Sequence, residues 1–162
     1  MKKLLIVLIS LLLAGCSTNA PEDNINNNIE NEEKQEVVNV ITTVDTLDEF
    51  KTALGFGLVV PEQISGVTEK TINVFETLKM AEVVFPEKAV IRKIAKENLT
   101  TDSLSGVYLN FDEPKNIDGY KLLSSDGYVY VCEWEKDGFA YSLNMLDGVS
   151  EEKILEVAKQ IS

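Results

Sequence analysis

Two cysteines, at positions 16 and 132, and the complete absence of histidine bound the reactions open to this 162-residue chain. Without histidine, the commonest general base, the usual activator of a nucleophile and the commonest metal ligand are missing. No cofactor and no metal are therefore expected, and an enzyme would need an all-carboxylate or Ser/Lys site. Cys132 lies inside the run Tyr128-Val-Tyr-Val-Cys-Glu-Trp134. A buried thiol away from positive charge is inert, so Cys132 reads as core rather than catalytic, with an intermolecular disulfide as the third option. Pro114-Lys-Asn116-Ile-Asp118-Gly119 mimics part of a calcium loop, which wants a carboxylate or amide first and Glu twelfth. Those positions hold Pro114 and Ser125, so a turn fits better. Gly55-Phe-Gly57 lacks the third glycine of a phosphate loop, and no Gly-x-Ser-x-Gly occurs. Tyr108, Phe111 and Tyr120 either line a binding surface or cover the second face of a sheet.

Cys16 belongs to a different context. Lys2 and Lys3 open the chain, and Leu4 to Leu13 is apolar apart from Ser10. A membrane-spanning helix needs roughly twenty apolar residues. This run is about half that and reads as the core of an export signal. Its end, Leu13-Ala14-Gly15-Cys16, resembles the lipobox of bacterial lipoproteins. The resemblance implies removal of residues 1–15 and lipidation of Cys16, whose acyl chains would hold the protein on the outer face of the cell membrane. In such a protein the glycosylation sequon Asn98-Leu-Thr100 is a coincidence.

Residues 16–36 then read as a tether. Positions 17–36 are rich in Asn and Glu, contain no aromatic residue and have only Ile25 and Ile29 as large apolar side chains. Such a segment cannot bury enough surface to offset its ordering entropy. As a random coil, twenty residues span about 25 Å. The formal charge is +2 over residues 1–16, −5 over 17–44 and −9 over 45–162. That excess of acid argues against nucleic acid and against charge-driven binding to anionic lipid.

Residues 37–162 form one domain by length. Thr46-Leu-Asp-Glu49 is a capping box, followed by Leu47, Phe50, Ala53 and Leu54 on one helical face and by Gly55 as the stop. At the other end Ser150 caps a helix whose stripe is Ile154, Val157, Ala158 and Ile161. Between them lie β-type runs at Gly57–Val60, Thr71–Glu76, Met80–Phe85, Ala89–Ala95 and Val107–Phe111. Asp-Gly, a preferred pair for two-residue hairpins, recurs at 118–119, 126–127, 137–138 and 147–148 and predicts a C-terminal meander. A turn at Asp137-Gly138 pairs Lys136 with Phe139, Trp134 with Tyr141, Cys132 with Leu143 and Tyr130 with Met145, all on one face. A turn at Asp126-Gly127 sets Leu123 opposite Tyr130, Leu122 opposite Val131 and Lys121 opposite Cys132. The last pair requires either snorkelling of the lysine or a bulge that shifts the register.

The order of these features is similar to a bacterial domain-of-unknown-function family, number 4367. The likeness is carried by Asn39–Pro61, with Asp45-Thr-Leu-Asp-Glu and Leu54-Gly-Phe. It continues in Ser103-Leu-Ser-Gly-Val-Tyr, Asp126-Gly-Tyr-Val-Tyr-Val-Cys-Glu-Trp, Tyr141-Ser-Leu and Val149-Ser-Glu-Glu. It implies an extracytoplasmic domain of a lipoprotein or membrane-anchored regulator, mostly of Gram-positive type, and brings no catalytic residue. The family often has a small residue where Cys132 stands, which favours packing. The fold expected is α+β: an antiparallel sheet of about six or seven strands with N- and C-terminal helices packed on it. The function expected is a non-enzymatic protein-binding or sensing module with a protein partner. The alternatives are a carrier of a small apolar ligand between sheet and helices and, third, a hydrolase.

Overall fold

The computed structural model describes residues 40–99, 104–107 and 109–162. The export signal, Cys16, the tether and Tyr108 lie outside the described residues. The described chain builds one antiparallel sheet with two helices on the same face. The elements are β1 (Ile41–Val44), α1 (Leu47–Leu54), β2 (Thr71–Phe75), β3 (Met80–Phe85), β4 (Ala89–Ala95), β5 (Lys115–Ile117), β6 (Tyr120–Ser125), β7 (Tyr128–Lys136), β8 (Phe139–Val149) and α2 (Glu151–Ala158). A 3₁₀ turn at Lys96–Asn98 follows β4. The strand order is β1-β2-β3-β4-β8-β7-β6-β5. Two four-stranded meanders thus meet along β4 and β8. The chain from β4 to β5 must therefore travel from the centre of the sheet to its far edge.

The α+β expectation holds at this level, with two corrections. The described residues form eight strands, not about six or seven. The first helix is not the N-terminal element of the fold, because β1 precedes it and pairs with β2 from Ile41↔Phe75 to Val44↔Ile72. Two expected strands are absent. Gly57–Val60 joins no sheet; Val59 instead exchanges both backbone hydrogen bonds with Ser162, at 2.7 and 3.2 Å. The described part of Val107–Phe111 is not strand either, since this stretch belongs to the crossing connection.

Both helices start where their caps place them. The Glu49 N–H donates to Thr46 Oγ1 at 3.2 Å, and the Lys153 N–H to Ser150 Oγ at 3.3 Å. In the first box the Glu49 carboxylate accepts from the Asp45 N–H at 3.1 Å. Gly55 ends α1 with φ of 79°, its N–H donating to the Lys51 carbonyl. Phe50 and Leu54 are buried under the sheet, whereas Ala53 faces out. Full burial of an apolar side chain of that size is worth ~1.5–3 kcal/mol. Ile154, Val157, Ala158 and Ile161 form the stripe of the C-terminal helical segment, as its periodicity predicts.

Three of the four Asp-Gly pairs make two-residue hairpins, each with both residues at positive φ. They join Ile117 to Tyr120, Ser125 to Tyr128 and Lys136 to Phe139. The β7–β8 hairpin keeps its expected register at Trp134↔Tyr141 and Cys132↔Leu143. It departs at Tyr130. The pairing jumps from Val131↔Asn144 to Val129↔Val149, and Met145 pairs with Ala89 of β4 instead. Asp147-Gly148 is therefore part of a bulge in β8, not a turn. Tyr130 is also the extra residue against β6, where Leu123↔Val131 gives way to Ser124↔Val129. This bulge sets Leu122 opposite Cys132 and Lys121 opposite Glu133. It resolves the awkward lysine by moving the register by one residue.

Candidate functional site

Register sorts the side chains into rows across the sheet. On the helix side one row runs Ile72–Val83–Ile91–Leu143–Cys132–Leu122 and the next Val74–Ala81–Lys93–Tyr141–Trp134–Tyr120. Phe50, Phe85, Ile91, Leu143 and Ile154 have no exposure at all. This layer is filled. Among the described residues its buried charge is Lys93, whose ammonium donates to the Gly57 carbonyl at 2.7 Å and lies 4.6 Å from the Phe139 ring centre, 4.9 Å from Tyr141 and 5.6 Å from Phe56. Burial pushes the amine below its ordinary pKa. The aromatic faces and the carbonyl partly replace its hydration, and the lysine ties the Gly55–Gly57 corner to the sheet.

The opposite face is polar along its middle. Thr43, Asn73, Glu82, Arg92, Ser142, Glu133 and Lys121 stand in register. Thr43 donates to Asn73 Oδ1 and Asn73 to Glu82 Oε1, each at 3.0 Å. The Arg92 guanidinium meets Glu82 Oε2 at 2.8 Å and donates through Nη1 to the carbonyls of Leu104 and Ser105. Glu133 accepts from the Leu104 N–H at 3.0 Å and from Lys121 Nζ at 3.2 Å. Asn144 Nδ2 donates to the Ser105 carbonyl at 2.7 Å. Three buried or half-buried polar side chains therefore grip the backbone at 104–105 as the connection crosses the sheet. Farther along, the Asp112 N–H donates to the Ser124 carbonyl at 2.8 Å.

Two clefts border this strap, one at Leu104 and one at Val107 and Leu109. One, of about 390 Å³, is lined by Leu99, Leu104, Lys121, Glu133 and Ala140 among others. The second, of about 400 Å³, lies between Leu109, Leu146 and Tyr130, with Ser125, Asp126 and Asn144 supplying its polar lining. Asn144 is 3% exposed, and its Oδ1 has no hydrogen-bond partner; neither has the buried Ser142 Oγ. Volumes of this size are within the range of small-molecule sites. Among the described residues, no group of three or more acidic or sulfur side chains is arranged to hold a metal ion.

Of the three expected aromatics, Tyr120 and Phe111 are among the described residues and Tyr108 is not. Tyr120 packs on the helix-side core, 5.6 Å from Trp134, which stacks on Tyr141 at 5.1 Å. Phe111 is half-buried in the connection. The residues around the strap that sequence reasoning passed over are Arg92, Glu133 and Asn144. Each sits inside an apolar strand, and its partner is remote in sequence. Only the alternation of β4, Ala-Val-Ile-Arg-Lys-Ile-Ala, hints that Arg92 and Lys93 face opposite ways.

Cys132 is fully buried between Leu122 and Leu143, and burial pushes its thiol up to about 12 from 9.0. The folded state keeps the proton while the unfolded chain loses it above pH 9. The thiol's contribution to stability is therefore complete below pH 9 and is lost as pH rises toward 12. Relative to Cys132→Ala, the wild type is expected to lose stability more steeply in that window, by up to ~1.4 kcal/mol per pH unit. Urea unfolding of both proteins from pH 8 to 11 reads the difference; parallel curves would contradict a buried, protonated thiol.

Compared with known proteins, the chain matches no family model, no curated protein and no solved structure.

Proposed function

We propose that the chain is a lipid-anchored lipoprotein whose domain works at the outer face of the cell membrane as a non-enzymatic protein-binding or sensing module. The observation that carries this reading is Cys16 at the end of Leu13-Ala14-Gly15, directly after the apolar run of residues 4–13. A binding role is supported by apolar surface at one end of the sheet. Leu109 and Leu146 flank a cleft there at 48% exposure, and Tyr128 lies nearby beside Gly148 at 56%. A carrier with its ligand between sheet and helices is the second reading. The tight packing of Phe50, Phe85, Ile91 and Ile154 in that layer puts it behind the first.

The anchor is tested by replacing the acceptor of the lipid. Cys16→Ser is expected to move the protein wholly from the membrane fraction to the soluble extracellular or periplasmic fraction, with wild type retained on membranes until detergent is added. Membrane association that survives the substitution would overturn the reading.

A further inference from the structure

We propose that the cleft between the strap and the β8 bulge is a binding site for a small organic cation: an apolar body carrying an ammonium group. Three features of the cleft lead to this class. Its walls are apolar and partly open, with Leu109 and Leu146 each half-exposed and Tyr130 presenting an aromatic side. Its polar lining is dominated by acceptors. Asn144 commits its donor Nδ2 to the Ser105 carbonyl, Ser125 adds a hydroxyl, and Asp126 is the one charged residue among the described lining. The neighbouring cation is already engaged: Lys88, bonded through its carbonyl to the Leu146 N–H, holds Asp147 at 2.8 Å.

A ligand ammonium has the Asp126 carboxylate as its counter-charge and the Tyr130 ring as an aromatic neighbour. A ligand anion would instead meet Asp126, with no cation among the described lining residues to offset it. The chain's formal charge of −12 points the same way. The cleft owes its shape to Tyr130. As the extra residue of β7 it leaves the helix-side row and turns to this face, where Gly148 lets its ring lie against the backbone.

This inference deepens the sensing reading and rests on it for its cellular meaning. Binding and anchoring are measured separately, so failure of one is distinguishable from failure of the other. The probe is 2-phenylethylammonium, titrated into isotopically labelled full-length protein in neutral detergent and followed by NMR. Saturable shifts are expected at the amides of Ser125, Asp126, Tyr130, Asn144 and Leu146. Phenylacetate, with the same ring and the opposite charge, is expected to bind at least tenfold more weakly. Asp126→Asn keeps the turn, since Asn-Gly suits the same positive-φ positions, and is expected to weaken the ammonium at least tenfold. Leu109→Ser with Leu146→Ser, both on the rim, is expected to weaken it without loss of fold. Absence of saturable shifts, equal binding of phenylacetate, or an unchanged affinity in Asp126→Asn would each overturn the assignment.

Discussion

Arg92→Leu is expected to lower the stability of the domain by about 3 kcal/mol, near the lower end for breaking a buried ion pair. The side chains of Arg92 and Glu82 are 20% and 11% exposed, which moderates the effect. Two losses combine. Glu82 keeps a buried carboxylate that still accepts from the Asn73 amide. The carbonyls of Leu104 and Ser105 lose the guanidinium, while Asn144 still donates to the Ser105 oxygen. Removing both charges is gentler than removing one, so Glu82→Leu with Arg92→Leu is expected to be more stable than Arg92→Leu alone. Chemical unfolding of the wild type, both single variants and the double variant closes the cycle. The strap adds a local readout. In Arg92→Leu the Leu104 amide, which donates to Glu133, should exchange with solvent well before the core strands do. Wild-type protection at Leu104 would mean that the strap is held without Arg92.

The division of labour between the two faces follows from one strand. β4 carries Arg92 and Lys93 side by side, so pleating sends one to each face. Lys93 enters the filled layer, where three aromatic rings and one carbonyl surround it. Arg92 enters the polar row, where its planar fork can hold a carboxylate and two carbonyls at once. The rigid layer positions the sheet, and the polar layer positions the strap and hence both clefts.

The parts of this fold that sequence reasoning recovers are those set by local chemistry. Thr46 and Ser150 cap because their hydroxyls reach N–H groups three residues on. Three Asp-Gly hairpins form because adjacent residues alone supply the needed φ values. The parts it misses depend on partners remote in the chain. The strand β1 is recognisable only once β2 pairs with it. Val107–Phe111 has the composition of a strand, yet the central place of β4 and the edge place of β5 make the intervening chain a crossing strap. The clefts share this origin: Asn144 and Ser105 are 39 residues apart and meet only because the strap crosses β8.

The fourth Asp-Gly separates these two kinds of information most sharply. Gly148 has φ of 65°, like a turn glycine, but its surroundings differ. A Cβ at this position would lie 2.8 Å from Tyr130 Cζ and 3.0 Å from Tyr128 Cβ. At Gly127 the φ is 80° and a Cβ would meet nothing within 4 Å. Gly127→Ala therefore isolates the conformational penalty, about 1 kcal/mol. Gly148→Ala carries that penalty and must also displace an aromatic ring and a strand side chain, so it is expected to cost about 2–4 kcal/mol in all. Denaturant unfolding of the two variants measures the gap. The same substitution should move the Tyr130 ring, and with it the wall of the cleft, so the NMR signals of Tyr130, Asn144 and Leu146 should shift in Gly148→Ala and stay in place in Gly127→Ala. Equal destabilisation by the two alanines, with Tyr130 unmoved, would mean that Gly148 serves the bend of β8 alone. A larger loss at Gly148, together with a displaced ring, would establish that one glycine shapes both the bulge and the cleft beside it.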